Sequence, residues 1–104
     1  MVTDVTDETF SSFVTENKLV VVDCWAAWCG PCRFLSPVIE ELSEENKDIA
    51  FGKLDVDKNN TVPMKYRIMS IPTLLYFKDG QIVDKTVGAL PKRALEEQLN
   101  RLRA

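Results

Sequence analysis

The chain has 104 residues, 45% of them hydrophobic and 28% charged, a composition in the ordinary globular range rather than that of disordered, fibrous or membrane-spanning chains. That length suffices to bury a core without disulfide or metal staples, so residues 1–104 are expected to form one domain. A net charge of −3 with no run of Lys and Arg disfavours a nucleic acid partner, and no apolar stretch approaches the roughly 20 residues that cross a bilayer.

Met1 to Glu8 carries acids and no basic residue ahead of an apolar run, so no secretory signal and a cytoplasmic location are expected. After a short extended segment, Thr6 has the character of a helix N-cap. Asp7 and Glu8 then fall in the first turn, Val5 is placed to staple against Phe10, and Phe10, Phe13 and Val14 share a face. Leu19 to Trp25 is apolar and β-branched up to Asp23, the pattern of a central strand covered on both faces and flanked by parallel neighbours.

From Pro31 onward, Phe34, Leu35, Val38, Ile39 and Leu42 recur at helical spacing opposite Arg33, Glu40, Glu41, Glu44 and Glu45. Pro37 should kink this helix, since it lacks an N–H and crowds the Arg33 carbonyl. Ile49 to Val56 reads as a second buried strand, Asp57 to Asn60 as a turn, and Val62 to Tyr66 as a short helix. Thr73–Lys78 and Gln81–Val87 flank Asp79-Gly80, a favoured two-residue hairpin turn, so these two strands should be antiparallel. Pro91 suits the first turn of a last helix with Ala94, Leu95, Gln98, Leu99 and Leu102 on one face. Nine elements in this order, with right-handed crossovers, predict a three-layer α/β/α sandwich around a mixed sheet.

The chemistry-bearing motif is Cys29-Gly30-Pro31-Cys32, between the end of a strand and the start of a helix. Cys29 there meets the unpaired N–H groups of the first turn, whose partial positive charge favours a thiolate. Cys32, one turn deeper, would be shielded and held for an intramolecular attack on anything bonded to Cys29. An odd count of three cysteines argues against a secreted disulfide scaffold and for intracellular CxxC chemistry. Half of a structural zinc site is a second reading, but the chain has no His and only Cys24 to complete four ligands. Inert core cysteines are a third, opposed by the turn-forming Gly-Pro between them. No metal and no cofactor are expected. Asn59-Asn60-Thr61 matches a glycosylation acceptor and is read as a chance match in a turn.

Trp28-Cys29-Gly30-Pro31-Cys32 resembles the active-site pentad of the thioredoxin family, and the similarity runs from the first helix to the last. It implies a five-stranded mixed sheet of order 1-3-2-4-5 with four helices, Cys29 exposed at the tip and Cys32 recessed. It also implies a monomeric general protein-disulfide oxidoreductase. Cys29 would be the nucleophile and Cys32 the resolving thiol, the two would form the redox-active disulfide, and Trp28, Gly30 and Pro31 would tune its potential. Disulfide-containing proteins would be the substrates and a thioredoxin reductase the electron donor.

By the same resemblance Asp23 matches a buried acid that passes a proton to or from Cys32. Its residues alone leave two readings, a desolvated carboxyl with a raised pKa or a strand-end Asp facing water. Lys53 matches a lysine near that acid, against a solvent-reaching strand lysine. Ile71-Pro72-Thr73 corresponds to a cis-proline turn facing the cysteines, where the backbone of Ile71 would pair with the substrate; composition alone would predict trans. Trp28, Ile71, Pro72, Val87, Gly88 and Ala89, with Gly30 and Pro31, correspond to an apolar substrate-binding rim, although Trp28 could be core and Gly88 could serve its own backbone angle. Cys24, Ser70 and Ala27 depart from the family's frequent aromatic, glycine and acid, and Cys24 reads as an inert small hydrophobe. A disulfide oxidase or isomerase is a competing reading, though these often carry His in place of Pro31; a non-redox binding module using the rim is another.

Overall fold

The computed structural model describes residues 1–104. In chain order the elements are β1 (Val2–Asp4), α1 (Phe10–Thr15), β2 (Leu19–Trp25), α2 (Gly30–Glu45), β3 (Ala50–Asp55), α3 (Thr61–Lys65), β4 (Thr73–Lys78), β5 (Gln81–Val87) and α4 (Lys92–Arg103). The sheet order is β1-β3-β2-β4-β5, as expected. β2 is central, but only one neighbour, β3, runs parallel to it; β4 is antiparallel. A run of buried β-branched residues reports coverage on both faces and carries no information about a neighbour's direction.

Side-chain alternation along β2 sorts the core into two layers. Leu19 and Val21 join Leu35, Ile39 and Leu42 of α2 and Leu95, Leu99 and Leu102 of α4 on one face. Val20, Val22 and Cys24 join Phe10 and Val14 of α1 and Val62 of α3 on the other. Each such fully buried aliphatic side chain contributes about 1.5–3 kcal/mol relative to exposure. The same alternation aims Asp23 and Trp25 at the α2 face, beside Lys53 of β3.

The helix starts are where expectation and structure part. α1 begins at Phe10, after a turn over residues 7–9, rather than directly behind Thr6. Thr6 and Thr9 nonetheless cap that turn reciprocally: the Thr6 N–H donates to Thr9 Oγ1 (2.9 Å) and the Thr9 N–H to Thr6 Oγ1 (3.3 Å). Asp7 is drawn away to another element, accepting from the backbone N–H groups of Thr61 (3.1 Å) and Val62 (2.9 Å) at the start of α3. Pro91 stands at the N-cap of α4 rather than in its first turn.

Phe34 is exposed, not core. The buried stripe of α2 runs through Cys32, Leu35, Ile39 and Leu42, and Phe34 lies about 100° around the helix from Leu35. Pro37 sits inside α2. At the hairpin, Asp79 (φ 53°) and Gly80 (φ 80°) both take the left-handed conformation that a type I′ turn requires. The β4–β5 register then shifts at Tyr76/Phe77, so Ile82 pairs with Phe77 and Asp84 with Tyr76, leaving Val83 as a bulge.

Candidate active site

Three chain segments meet at the N-terminal end of α2. Cys29 is the N-cap, in extended conformation (φ −86°, ψ 109°), and its Sγ accepts the backbone N–H of Cys32 at 3.2 Å. One orphan donor of the first turn is thus aimed at sulfur, which favours negative charge there whenever the disulfide is open. Gly30 and Pro31 form the first exposed turn of the helix, and Pro31 has no N–H to leave unsatisfied.

Cys29 and Cys32 are joined as a disulfide with Cα atoms 5.3 Å apart. Both are buried, Cys29 3% and Cys32 4% exposed, which corrects the expectation of an exposed Cys29. In the oxidised state both cysteines pack with Ala26, and Trp25, Val56 and Ile71 close against the pair.

Facing them is the Ile71–Pro72 bond, which is cis, and the Ile71 carbonyl oxygen lies 3.8 Å from Cys29 Sγ. Thr73 and Val87 are register partners on β4 and β5. Gly88 continues from Val87 at φ +97° and donates its N–H to the Pro72 carbonyl at 2.8 Å. Val87 and Ala89 are exposed and Ile71 half-buried around this turn, while Pro72 is buried. Trp28 is two-thirds exposed, which excludes a core role, and its indole N–H donates to Asp57 Oδ2 at 2.9 Å.

Behind Cys32 a cleft of about 300 Å³ is lined by Asp23, Trp25, Arg33, Ser36 and Lys53, together with Ala26 and Ala27. Asp23 is 5% exposed and its Oδ1 has no hydrogen-bond partner in the protein, like the buried Trp25 Nε1. Burial pushes the Asp23 carboxyl up from its ordinary 3.8 to about 7, with Lys53 holding it back in part. The desolvated reading of Asp23 therefore holds over the solvent-facing one. Lys53 adjoins Asp23 in the β2–β3 register, yet its ammonium pairs with Asp4 (3.8 Å) and lies 5.9 Å over the Trp25 ring. Both readings of Lys53 thus describe it: a solvent-reaching stem that still sets the field at Asp23.

Cys24, on the opposite face of β2, is fully buried and its thiol is pushed up to about 12 by burial, with Asp23 adding to the rise. It matches the inert hydrophobe expected of it. Asn59 is also buried, its amide accepting the Asp7 N–H (2.8 Å) and donating to the Asp55 carbonyl (3.1 Å), so the sequon there offers no free side chain. No group of three or more His, Cys, Asp or Glu side chains is placed to hold a metal ion.

Sequence reasoning missed several participants. The sequence marks Asp57 only as a turn residue, and Arg33, whose guanidinium donates to the Ala27 carbonyl at 3.0 Å, only as part of a solvated face. An apolar trough beside Trp28 was missed altogether. One half, about 410 Å³, is lined by Trp28, Val56, Pro63, Ile68, Met69 and Ile71, and it shares residues with an adjoining half reaching Met64 and Arg67. The available signal was the apolar pair Ile68-Met69 in a segment with neither helical nor strand spacing.

The thioredoxin family model matches residues 1–101. The chain belongs to the thioredoxin family. It is 52% identical over 98 residues to a thioredoxin of Staphylococcus aureus (strain Mu50), covering 93% of each chain. It is 48% identical over 97 residues to a thioredoxin of Bacillus subtilis (strain 168), covering 92% of each. Among solved structures, a mutant thioredoxin from Halobacterium salinarum NRC-1 superposes with a TM-score of 0.91 at 36% identity, over 96% of this chain and 88% of that one. With its cysteine pair joined at the start of α2, the protein is a thioredoxin-type protein-disulfide oxidoreductase. No helix is long and apolar enough to cross a membrane.

Proposed function

We propose that the chain works as a single-domain, monomeric, cytoplasmic reductant of protein disulfides, recharged by a thioredoxin reductase. The observation carrying this reading is the Cys29–Cys32 pair at the α2 N-terminus, set against the Ile71 carbonyl and an apolar surface. The reduced Cys29 thiolate attacks one sulfur of a substrate disulfide; that S–S bond breaks, and the departing thiolate takes up a proton. Asp23 then accepts the proton of Cys32, whose thiolate attacks Cys29 Sγ and expels the second substrate thiolate. Two electrons have passed to the substrate, the Cys29–Cys32 disulfide has formed, and the reductase returns it to the dithiol.

The helix N-terminus favours the Cys29 thiolate, but a more acidic thiol is also intrinsically less nucleophilic, so the larger thiolate fraction is offset in part. The larger gain is therefore the tethered resolving thiol. Lys53 serves this step by keeping Asp23 partly ionised near neutrality, the form able to accept a proton. The carbonyl of Ile71, beside the cis Pro72, accepts from the substrate backbone, while Trp28, Val87, Gly88 and Ala89 present apolar surface with little sequence demand.

A redox titration in dithiothreitol or glutathione buffers, with alkylation and mass spectrometry reporting the Cys29–Cys32 bond, tests the direction. A single two-electron transition well below about −200 mV is expected of a reductant, whereas a value near or above about −180 mV would favour oxidase or isomerase work.

A further inference from the structure

Met64 and Met69 are 76% and 93% exposed, and both line the trough that runs from Trp28 and Ile71 along α3. Methionine is favoured on surfaces that accept varied partners, and its thioether is the side-chain group in this trough that a peroxide oxidises most readily. Val56, Pro63 and Ile68 line both halves of the trough while Asn60, Arg67 and Ser70 border it, so a sulfoxide at either sulfur would set a new dipole beside that shared apolar stretch.

We infer that Met64 and Met69 form an oxidation site through which peroxides attenuate protein-substrate docking, reversibly and without any change at the cysteines. The inference rests on the reductase reading of the site. In the step itself a thioether sulfur lone pair attacks the terminal oxygen of the peroxide, the O–O bond breaks, and a sulfoxide and water form, or an alcohol from an alkyl peroxide. The sulfoxide dipole in the trough disfavours apolar substrate segments, while a small disulfide that needs only Cys29 is unaffected. A sulfoxide is returned to the thioether by methionine sulfoxide reductases at the expense of thiols.

The oxidised protein makes a clean test possible. Its cysteine pair is already a disulfide and its Cys24 thiol is buried, so hydrogen peroxide meets the methionines first. Met1 is exposed as well, but its ammonium bonds to Ser43 and Glu44 near the far end of α2, which makes it an internal control. After peroxide treatment, confirmation of the sulfoxides by mass spectrometry and reduction with dithiothreitol, insulin reduction should proceed about three- to tenfold more slowly than before treatment. Reduction of the small probe 5,5′-dithiobis(2-nitrobenzoate) should keep its rate, and methionine sulfoxide reductase should restore the insulin rate. Each variant is compared with its own untreated form: Met1→Leu should still be attenuated, and Met64→Leu/Met69→Leu should not. Verified sulfoxides with an unaltered insulin rate, or equal attenuation in the double variant, overturns the inference alone. A protein that reduces no insulin before treatment overturns the reductase reading and this one with it.

Discussion

Asp23 and Lys53 are register partners on parallel strands and point to the same face, yet the lysine ammonium forms its ion pair with Asp4 at the surface. The carboxyl is therefore left to burial, which dominates, with only a through-space correction from the lysine.

This has a pH signature. Unfolded, Asp23 would titrate near 3.8; folded, it titrates at about 7. Between these values the folded chain holds one more proton than the unfolded one. Stability from this group is thus fully present below the lower value, declines as pH rises through the interval, and levels off above the upper. The whole decline is about 4 kcal/mol at most. Urea unfolding of the oxidised protein should show it between about pH 4 and pH 8, and Asp23→Asn should flatten the curve and exceed the parent in stability at the alkaline end. Parallel curves for the two proteins would contradict the assignment.

The order of attack can be read by trapping. Cys32→Ser should accumulate a covalent mixed disulfide with a substrate protein through Cys29, visible as a mass increase that dithiothreitol removes. Cys29→Ser should form none, because Cys29 alone stands at the N-cap, where its sulfur accepts a first-turn N–H and the thiolate is favoured.

Trp28 offers a separation of stability from recognition. Being mostly exposed, it supports little of the core, so Trp28→Ala should leave the unfolding midpoint almost in place while kcat/KM for a protein disulfide drops roughly tenfold, a loss of about 1.4 kcal/mol in apolar contact. Asp57→Asn, which keeps an acceptor for the indole N–H, should cost clearly less. A large stability loss in Trp28→Ala would mean the ring is structural.

Two glycines should fail for different reasons. An added Cβ at Gly88 would meet nothing within 4 Å, so Gly88→Ala costs only its left-handed backbone, about 1–2 kcal/mol. At Gly52 the same atom would stand 2.7 Å from Val5 Cγ2 and 2.8 Å from Phe13 Cε2. Gly52→Ala should therefore cost about 1–3 kcal/mol through overpacking. Urea unfolding of the two variants measures both.

What the sequence discloses of this fold is what neighbours along the chain decide. The buried run of β2, the Asp79-Gly80 turn and the apolar spacing of α4 each carry their own local signal. The cysteine motif shows its place at a strand–helix junction for the same reason. What it conceals depends on distant partners. Cys29 is buried by Ile71, more than forty residues away, and no spacing around Cys29 encodes that. Phe34 satisfied the periodicity yet lies outside the stripe, because five apolar residues on one helix cover a wider arc than the sheet occupies. Trp28 finds Asp57 across a loop, and the trough exists only where α3 and the segment before Pro72 approach Trp28.

The Asp7 carboxylate, holding the first two backbone N–H groups of α3, moors one bank of the trough to the beginning of the chain. Asn59 doubles the mooring by bonding the Asp7 N–H and the Asp55 carbonyl at once. Recognition of a client protein is therefore leveraged from a residue that never meets it: a change at position 7 would shift the bank on which Met64 rides, and drift in selectivity could begin far from any surface the client touches.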